Sequence, residues 1–231
     1  MRTVNQEVHQ KKKEEFMQKC FDCYAEYGLG NVGIQALANA CGTSKGYLYT
    51  YFDNLDHLIV ESTDFCMSKV EDDFMAKAPS KAEEVMKFVD EIPYWTAKMH
   101  GKKYRLMYQV YTNPKYIEYG KKFFEGVNRR YTEYAKLLEP KLGIPYQTIL
   151  SFTFILIRAS VHYAMFEDEY YLAAQLTGLK AALSAVLHLP IKSVSAPTAP
   201  AGDITANGTI ATSGATATDT AVNCTAATEN I

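Results

Sequence analysis

The sequence has little that would support catalysis or metal binding. Its five histidines are scattered along the chain with no H-x-x-x-H or H-x-E pairing, so neither a zinc site nor a hydrolytic triad can be assembled. A glycine-rich phosphate-binding loop is also lacking. We therefore expect a protein that is not an enzyme, with no catalytic residue, no metal site and no cofactor.

Cysteine is sparse as well. The five cysteines are an odd number without the spacing of a disulfide framework, which favours a reducing compartment. The pair Cys20-x-x-Cys23 has the form of a redox or half-zinc motif. Both residues lie on the inward face of a predicted helix, and no second Cys/His pair follows at metal-ligand spacing, so a structural role is favoured.

Long hydrophobic runs are missing too. No apolar signal-type segment follows Met1, and no run approaches the roughly 20 apolar residues of a membrane span. The longest apolar stretch, near Phe152 to Ile157, stops at Arg158. We expect a cytoplasmic protein that does not enter a membrane.

An excess of positive charge is absent, which excludes a generally basic nucleic-acid-binding protein. The net charge of the 231 residues is −2, and three of the acidic residues lie after Ser193, where Lys and Arg do not occur. Residues 1–192 therefore carry about +1. Any affinity for DNA must come from a small local patch and from dimerisation, because two half-sites bound together strengthen one another.

What the sequence does contain is helical periodicity, with no alternating strand pattern and no internal repeat. Beside the segment 34–53, helices are predicted over residues 7–27, from Asp53 or Asn54 to about Ala78, from Ser80 to Ile92, and over about 102–111, 115–138, 146–166 and 170–187. Pro93 is expected to kink or break the chain. The fold class is all-α, with predicted domains at 1–53 and 54–192 and a disordered Ala/Thr-rich tail at 193–231.

Residues 34–53, IQALANACGTSKGYLYTYFD, have the spacing of a helix-turn-helix. Ala38 is small enough for close helix approach, Gly42 can adopt the left-handed conformation of the turn, and Leu48 can be buried under the second helix. Ser44 is placed to cap that helix, which is predicted to run from Lys45 to Tyr51. Such a helix fits a DNA major groove.

The run from Thr43 to Phe52 resembles the S-K-G-x-L-Y-x-Y-F recognition helix of TetR-type (TetR/AcrR) transcriptional repressors, and residues 16–28 resemble their first helix. The resemblance covers about the first 60 residues. It implies a homodimeric, all-helical regulator with N-terminal domains that bind an operator and a larger C-terminal domain that binds an inducer and dimerises. Two positions depart from the pattern: Gly33 stands in place of a capping Thr, and Leu55 in place of a Lys that touches phosphate.

The resemblance implies a set of DNA-contacting residues around the second and third helices. These are Gln35, Thr43, Ser44, Lys45, Gly46, Tyr47, Tyr49, Thr50 and Tyr51, with Ile34 nearby. Lysine and hydroxyl groups can hold phosphates, while Tyr47 and Thr50 could touch base edges or a thymine methyl group. For Tyr49 and Phe52, packing against the first helix is an equal alternative. The lysine run 11–13 is either a solvated helix face or a contact to flanking phosphates.

The central helices are rich in aromatic and thioether side chains, as a pocket for an apolar or aromatic ligand would be. The ligand-binding candidates are Trp95, Met99, His100, Tyr104, Tyr108, Phe124, Arg158 and His162. An ordinary core has the same composition. Arg158 and His162, one turn apart, would need polar partners, which a ligand carboxylate, Glu167 or Glu125 could provide.

The last two predicted helices carry small and apolar residues suited to a four-helix dimer interface about a two-fold axis. We interpret the chain as a ligand-responsive repressor of a palindromic operator. The alternatives are a helical small-molecule-binding protein or enzyme with a vestigial DNA-binding motif, and an interaction protein that acts through the dimer bundle or the tail.

Overall fold

A computed structural model describes residues 2–188, and within them all regular structure is helical. The all-α prediction is confirmed. The eight α-helices are α1 (Arg2–Tyr27), α2 (Ile34–Ala40), α3 (Lys45–Leu48), α4 (Leu55–Lys77), α5 (Val85–Tyr111), α6 (Ile117–Leu142), α7 (Tyr146–Phe166) and α8 (Glu169–Val186). Two short 3-10 turns lie at Leu29–Asn31 and Ala82–Glu84. The predicted tail, 193–231, lies outside the described residues.

The predicted break at Pro93 and the predicted helix cap at Ser80 are both wrong. Pro93 is buried inside α5, which continues without a break and joins the two helices predicted over 80–92 and 102–111. The unbroken helix buries Val89 and Ile92 before the proline and Thr96 after it, and this packing outweighs the one backbone hydrogen bond that a proline removes. Ser80 caps no helix, since α5 begins at Val85 after a 3-10 turn.

The end of α6 was also predicted too early, near Leu138. Pro140 lies inside the helix, which ends at Leu142. Gly143 follows in the left-handed conformation (φ 66°), and its N–H donates to the carbonyl oxygen of Glu139 at 2.9 Å. The glycine therefore stops the helix, because it can adopt the positive φ of a C-terminal cap.

Buried residues form two main clusters, and α4 contributes to both. The first cluster joins α1 to α4 with the second half of α5, and Leu58 and Val70 belong to it. The second joins the end of α4, at Phe74, with the first half of α5 and with α6, α7 and α8. Because α4 packs continuously into both, it links the two predicted domains mechanically; the boundary at residues 53–54 itself stays a prediction.

Among the described helices, α7 meets the length and composition of a membrane span, which the search for apolar runs did not anticipate. About a third of its apolar segment is buried within the chain. The helix packs against α5, α6 and α8, and it contains the charged residue Arg158. Both features are also typical of a core helix in a helical bundle.

Gly120 and Gly126, both in α6, provide a matched pair of test substitutions. An added Cβ at Gly120 would lie 2.7 Å from the Cβ of Tyr111, whereas one at Gly126 would meet nothing within 4 Å. Gly120→Ala should lower the free energy of unfolding by about 1–3 kcal/mol through overpacking. Gly126→Ala should raise it by about 0.5–1 kcal/mol through helix propensity. Urea unfolding measures both, and equal effects of the two substitutions would contradict the close approach of α5 and α6.

Candidate nucleic-acid interface

The turn between α2 and α3 has the geometry that the sequence predicts. Gly42 is left-handed (φ 66°), its N–H donates to the Asn39 carbonyl at 2.9 Å, and the Thr43 N–H donates to the Ala38 carbonyl at 2.9 Å. Ala38 and Leu48 are completely buried. The steric roles assigned to these positions are thus confirmed, and they fix the crossing of the two short helices.

Capping differs between the two helices. The Ser44 hydroxyl oxygen accepts a hydrogen bond from the Tyr47 N–H at 3.2 Å, as a serine N-cap should. Gly33 is the N-cap of α2, where no side chain can make that bond. The start of α2 therefore lacks a stabilising contact that the start of α3 has.

The third helix is shorter than predicted. It ends at Leu48, and residues 49–51 continue as a turn in which the Thr50 and Tyr51 N–H groups bond the carbonyls of Tyr47 and Leu48, each at 3.1 Å. This tighter i to i+3 pattern is usual at helix ends. The turn keeps Phe52 buried, so for Phe52 the packing alternative is confirmed.

Most of the predicted DNA-contacting side chains lie on one exposed surface, which we call the recognition face. Tyr47 and Tyr49 are 47% and 41% exposed. Gln35, Ser44, Lys45, Gly46 and Thr50 are also exposed, and Thr43 and Tyr51 are half-buried. The Thr50 hydroxyl donates to the Tyr47 carbonyl at 2.7 Å, so its oxygen stays available as an acceptor. The face thus offers a cation, hydroxyl groups and an apolar methyl.

Aromatic contacts hold the recognition face against α1. The Tyr47 and Tyr51 hydroxyls lie 3.1 Å apart, and the Phe16 ring packs edge-on against the Tyr51 ring at 5.1 Å. The His9 ring stacks on Tyr51, with 4.3 Å between centroids. Sequence reasoning missed His9, since only its position two turns before Phe16 on one helix face could have pointed to it. These contacts restrict the tyrosine rings and keep their hydroxyls at the surface.

Two of the three lysines at positions 11–13 are engaged within the chain. Lys12 forms an ion pair with Glu15 at 2.8 Å and lies over the Phe16 ring, and Lys13 pairs with Glu61. Lys11 is exposed. The contacts within the chain favour a solvated helix face for most of this run.

The first part of the chain matches a known family. Residues 21–61, which contain the whole helix-turn-helix, match the model of the family described as "Bacterial regulatory proteins, tetR family". Residues 21–61 therefore form a TetR-type helix-turn-helix segment, and a match to regulatory proteins over these residues supports a DNA-binding role for it.

Solved structures agree with the TetR fold over most of the chain. A TetR transcription regulator from Haloarcula marismortui has a TM-score of 0.57 at 17% identity, over 77% of this chain and 98% of its own. The regulator SCO7518 from Streptomyces coelicolor A3(2) has a TM-score of 0.52 at 18% identity, over 77% and 98%. The fatty acid degradation regulator FadR from Bacillus halodurans has a TM-score of 0.51 at 17% identity, over 74% and 94%. No curated protein sequence matches the chain.

Helix α4 begins seven residues after the end of α3 and makes polar contacts along its length. Near its start, Asp56 accepts a hydrogen bond from the Tyr116 hydroxyl at 2.6 Å and pairs with Lys115 at 2.7 Å. In its middle, Asp64 accepts a hydrogen bond from the Tyr111 hydroxyl. These partners come from the end of α5 and the connection to α6, so the contacts join that region to the first half of α4.

The second half of α4 is held by α6. Arg130 pairs with Glu71 at 2.8 Å and Asp72 at 3.3 Å and donates to the Ser68 carbonyl at 3.3 Å. One turn further along α6, the Tyr134 hydroxyl donates to the Met75 carbonyl at 3.0 Å. Burial raises the pKa of Glu71 to about 7, against the opposing charge of Arg130. The Glu71–Arg130 pair is therefore a costly buried pair that needs both partners.

An apolar cavity of about 70 Å³ lies next to these contacts between α4 and α6. It is bounded by the end of α4, the start of α5, the end of α6, and α7 and α8. Its wall includes the phenylalanine rings of Phe74, Phe88 and Phe152. Tyr134 and Thr153 are the polar side chains of its wall. Tyr134 thus touches both the cavity and the backbone of α4. The inward apolar spacing of these residues was visible in the sequence, but it is equally typical of a solid core.

None of the eight predicted ligand-binding residues lines this cavity. They do not meet at one place, because α5 is continuous from Trp95 to Tyr108 and these two residues lie about 20 Å apart along it. Two pairs do form: Trp95 packs edge-on against His100 at 4.9 Å, and Arg158 donates to the Tyr108 hydroxyl at 3.0 Å. The eight stay a tentative prediction as ligand contacts.

The remaining candidates are dispersed. Met99 and Phe124 are exposed and Tyr104 is buried in the first cluster. His162 packs against the rings of Tyr171 and Phe166, with its Nε2 3.8 Å from a carboxylate oxygen of Asp168. The partner of Arg158 within the chain is thus a tyrosine hydroxyl and not the predicted Glu167 or Glu125, while a ligand carboxylate stays a prediction.

His100 is the most deeply buried of the polar candidates, at 3% exposure, and neither ring nitrogen has a hydrogen-bond partner among the described residues. Burial, with a smaller contribution from Lys103, lowers the pKa of His100 to about 4, although Asp73 lies 3.6 Å away. At neutral pH the ring is uncharged, so it cannot pair ionically with a ligand carboxylate.

Proposed function

We propose that the chain is a cytoplasmic repressor that binds a palindromic operator as a homodimer and is released by a small, largely apolar ligand. It acts by binding rather than by catalysis. The observation that carries the DNA-binding part is the recognition face, where Lys45, Tyr47 and Thr50 are exposed above the buried Leu48. A helix placed in this way can enter a major groove while the Ser44-capped end approaches the phosphates.

The experiment for DNA binding is a fluorescence-anisotropy titration of the full chain. The labelled probe is the intergenic DNA upstream of the gene that encodes the chain, and a shuffled duplex of the same length and base composition is the control. We expect the upstream DNA to bind about 1,000-fold more tightly than the shuffled duplex at physiological salt, the lower end of specific recognition. Equal affinity for both duplexes would contradict the proposal.

Dimerisation through α7 and α8 is supported by what these helices expose. Ile155 and Val186 are large apolar residues on the surface, and Ala174, Ala181 and Ala182 are small exposed residues that would allow close helix approach. The limited burial of α7 within one chain has the same explanation, because a partner helix would cover its other side.

The ligand site that we favour is the apolar cavity. A benzene-sized ligand occupies an engineered cavity of about 150 Å³, and the cavity here is about half as large. A ligand of several methylene groups must therefore displace the wall. An aliphatic chain suits a lining of Leu, Ile, Val and Phe side chains, and it is also the chemistry handled by the pathway that the FadR neighbour from Bacillus halodurans regulates.

Displacement of the cavity wall would change DNA binding by moving α6 and, through it, α4. Tyr134 lines the cavity and bonds the end of α4, while Arg130 on the same helix holds Glu71. A ligand that moves α6 would shift α4 and thereby the spacing of the two recognition helices away from the 34–36 Å between successive major grooves. The ligand would favour the released state because only that state has room for it.

The cavity can be tested with decanoate as the probe. We expect decanoate to reduce the anisotropy of preformed protein–DNA complexes, and Leu138→Trp, which fills the cavity, to abolish the response while operator binding remains. Leu137→Trp is the matched control, since the neighbouring Leu137 is 65% exposed. A response unchanged in Leu138→Trp would place the ligand elsewhere, and circular dichroism melting verifies that both variants fold.

A further inference from the structure

Two buried thiols meet inside the DNA-binding domain. The Sγ atoms of Cys20, in the second half of α1, and Cys41, at the end of α2, lie 3.5 Å apart. Both side chains belong to the first core cluster, with Cys20 fully buried and Cys41 4% exposed. A third thiol of this core, Cys66, lies with its Sγ 3.9 Å from the Met17 carbonyl oxygen and provides an internal comparison.

The geometry is close to that of a cross-link. A disulfide has its sulfur atoms about 2.0 Å apart, so the two Sγ atoms need to approach by about 1.5 Å from the distance observed. The two residues lie on different helices and are separated by a turn, so small rotations about their Cα–Cβ bonds and a slight movement of α2 can bring the sulfurs together. The pair is therefore pre-positioned for reaction with one another rather than with a distant thiol.

The two thiols differ electrostatically. The hydrogen bond from Cys20 lowers the pKa of Cys41, helped by the positive charges of Lys19 and Lys12 and opposed by burial. The pKa of Cys20 is raised by the same hydrogen bond and by burial. Cys41 is thus the group that more readily becomes a thiolate, the form that reacts with oxidants, and it is also the more exposed of the two.

We propose that Cys20 and Cys41 are a redox modification site, which a peroxide converts to an intramolecular disulfide between α1 and the helix-turn-helix. The Cys41 thiolate attacks one peroxide oxygen, the O–O bond breaks, and a sulfenic acid forms on Cys41 while hydroxide leaves and takes up a proton. The Cys20 sulfur then attacks the Cys41 sulfur, the S–O bond breaks, and the departing hydroxide takes the Cys20 proton. Two thiols and one hydrogen peroxide give one disulfide and two waters.

The cross-link would act on DNA binding through the turn. Cys41 is the C-terminal cap of α2 and directly precedes Gly42, the residue that sets the crossing of α2 and α3. Drawing Cys41 towards α1 shifts that crossing and tilts the recognition face away from the orientation that its contacts with the groove require. Oxidation therefore weakens operator binding, and a reductant reverses the effect.

The cross-link is tested on the folded full chain with hydrogen peroxide, followed by alkylation and cleavage before aspartate residues. Cleavage before Asp22 and Asp53 separates Cys20, in peptide 1–21, from Cys41, in peptide 22–52. We expect a disulfide-linked pair of these peptides in the wild type and in Cys66→Ala, and its loss in Cys41→Ser. The absence of the linked peptides, or their persistence in Cys41→Ser, would overturn the proposal.

The effect on DNA is measured by anisotropy with the upstream intergenic duplex. We expect about a tenfold loss of affinity in the cross-linked protein, comparable to one good base contact, with recovery after dithiothreitol and no change in peroxide-treated Cys41→Ser. Unchanged affinity of fully cross-linked protein would refute the regulatory role. The peptide analysis does not depend on the proposed function, so failure of operator binding and failure of the cross-link remain distinguishable. If Cys41→Ser does not fold, Cys20→Ala serves as the second variant.

Discussion

Replacing Lys45 and Tyr47 together by alanine should weaken binding to the upstream operator by about 100-fold, the loss of two contacts in each half-site of a dimer. Lys45 is the cation of the recognition face, and Tyr47 is its most exposed ring. The loss of a phosphate contact should also make the salt dependence shallower by about 0.9 per protomer in the slope of log affinity against log salt. Anisotropy titrations at several salt concentrations measure both quantities.

The control for this variant is a lysine and a tyrosine of similar exposure far along the chain. Lys87 and Tyr94 on α5 fit, since Tyr94 is 48% exposed and the Lys87 side chain is 76% exposed. Lys87→Ala/Tyr94→Ala should leave operator affinity and salt slope unchanged. If both double variants weaken DNA binding alike, the recognition face is not the site of contact. If neither does, the helix-turn-helix is vestigial, as the alternative interpretation of the sequence holds.

Replacing Arg130 by methionine should destabilise the fold by about 2 kcal/mol near pH 8, because the Glu71 carboxyl, ionised in the wild type at that pH, is left buried without its partner. Arg129, the neighbouring residue, is exposed, so Arg129→Met is the control and should change the free energy of unfolding by less than about 0.5 kcal/mol. Urea unfolding monitored by circular dichroism gives both values.

The cost of Arg130→Met should depend on pH in a defined direction. Folding raises the pKa of Glu71 from 4.5 to about 7. The protonated carboxyl therefore contributes stability that is fully present below pH 4.5 and is lost as the pH rises through about 7. Near pH 5 the carboxyl is neutral and needs Arg130 less, and the destabilisation should fall to about 1 kcal/mol, that of an ordinary lost hydrogen bond.

A double variant separates charge from shape in the same pair. Arg130→Met/Glu71→Met removes both charges, and we expect it to recover most of the stability lost in Arg130→Met. A destabilisation of Arg130→Met that is equal at pH 5 and pH 8, or that the double variant does not rescue, would mean that the Arg130 stem rather than its charge holds α6 to α4.

The proline positions illustrate what sequence patterns could not decide. Both Pro93 and Pro140 lie inside helices, although the sequence predicts a kink or break at Pro93 and a helix end near Leu138, before Pro140. A proline in the interior of a helix removes one backbone hydrogen bond, but whether the helix continues depends on what the residues on either side bury. That burial is a property of the neighbouring helices, and a single local segment carries no information about it.

The ligand candidates do not meet in one pocket, because α5 is continuous, and that continuity could not be predicted from the sequence. Trp95 and Tyr108 belong to one continuous helix, and its length separates them. The cavity instead lies between the end of α4, the start of α5 and the end of α6, and Phe74, Phe88 and Phe152 bound it. Nothing in the sequence distinguishes these three rings from other core aromatics.

By itself the sequence determined the helix-turn-helix, because its geometry rests on local interactions: the small Ala38, the left-handed Gly42, the Ser44 cap and the buried Leu48 act within a few residues of one another. It likewise determined the all-helical class through periodicity. Only the tertiary structure determined the position of the cavity, the contacts of Arg130 and Tyr134 with α4, and the proximity of Cys20 to Cys41. Each of these joins residues from different helices, and their proximity depends on how whole helices pack.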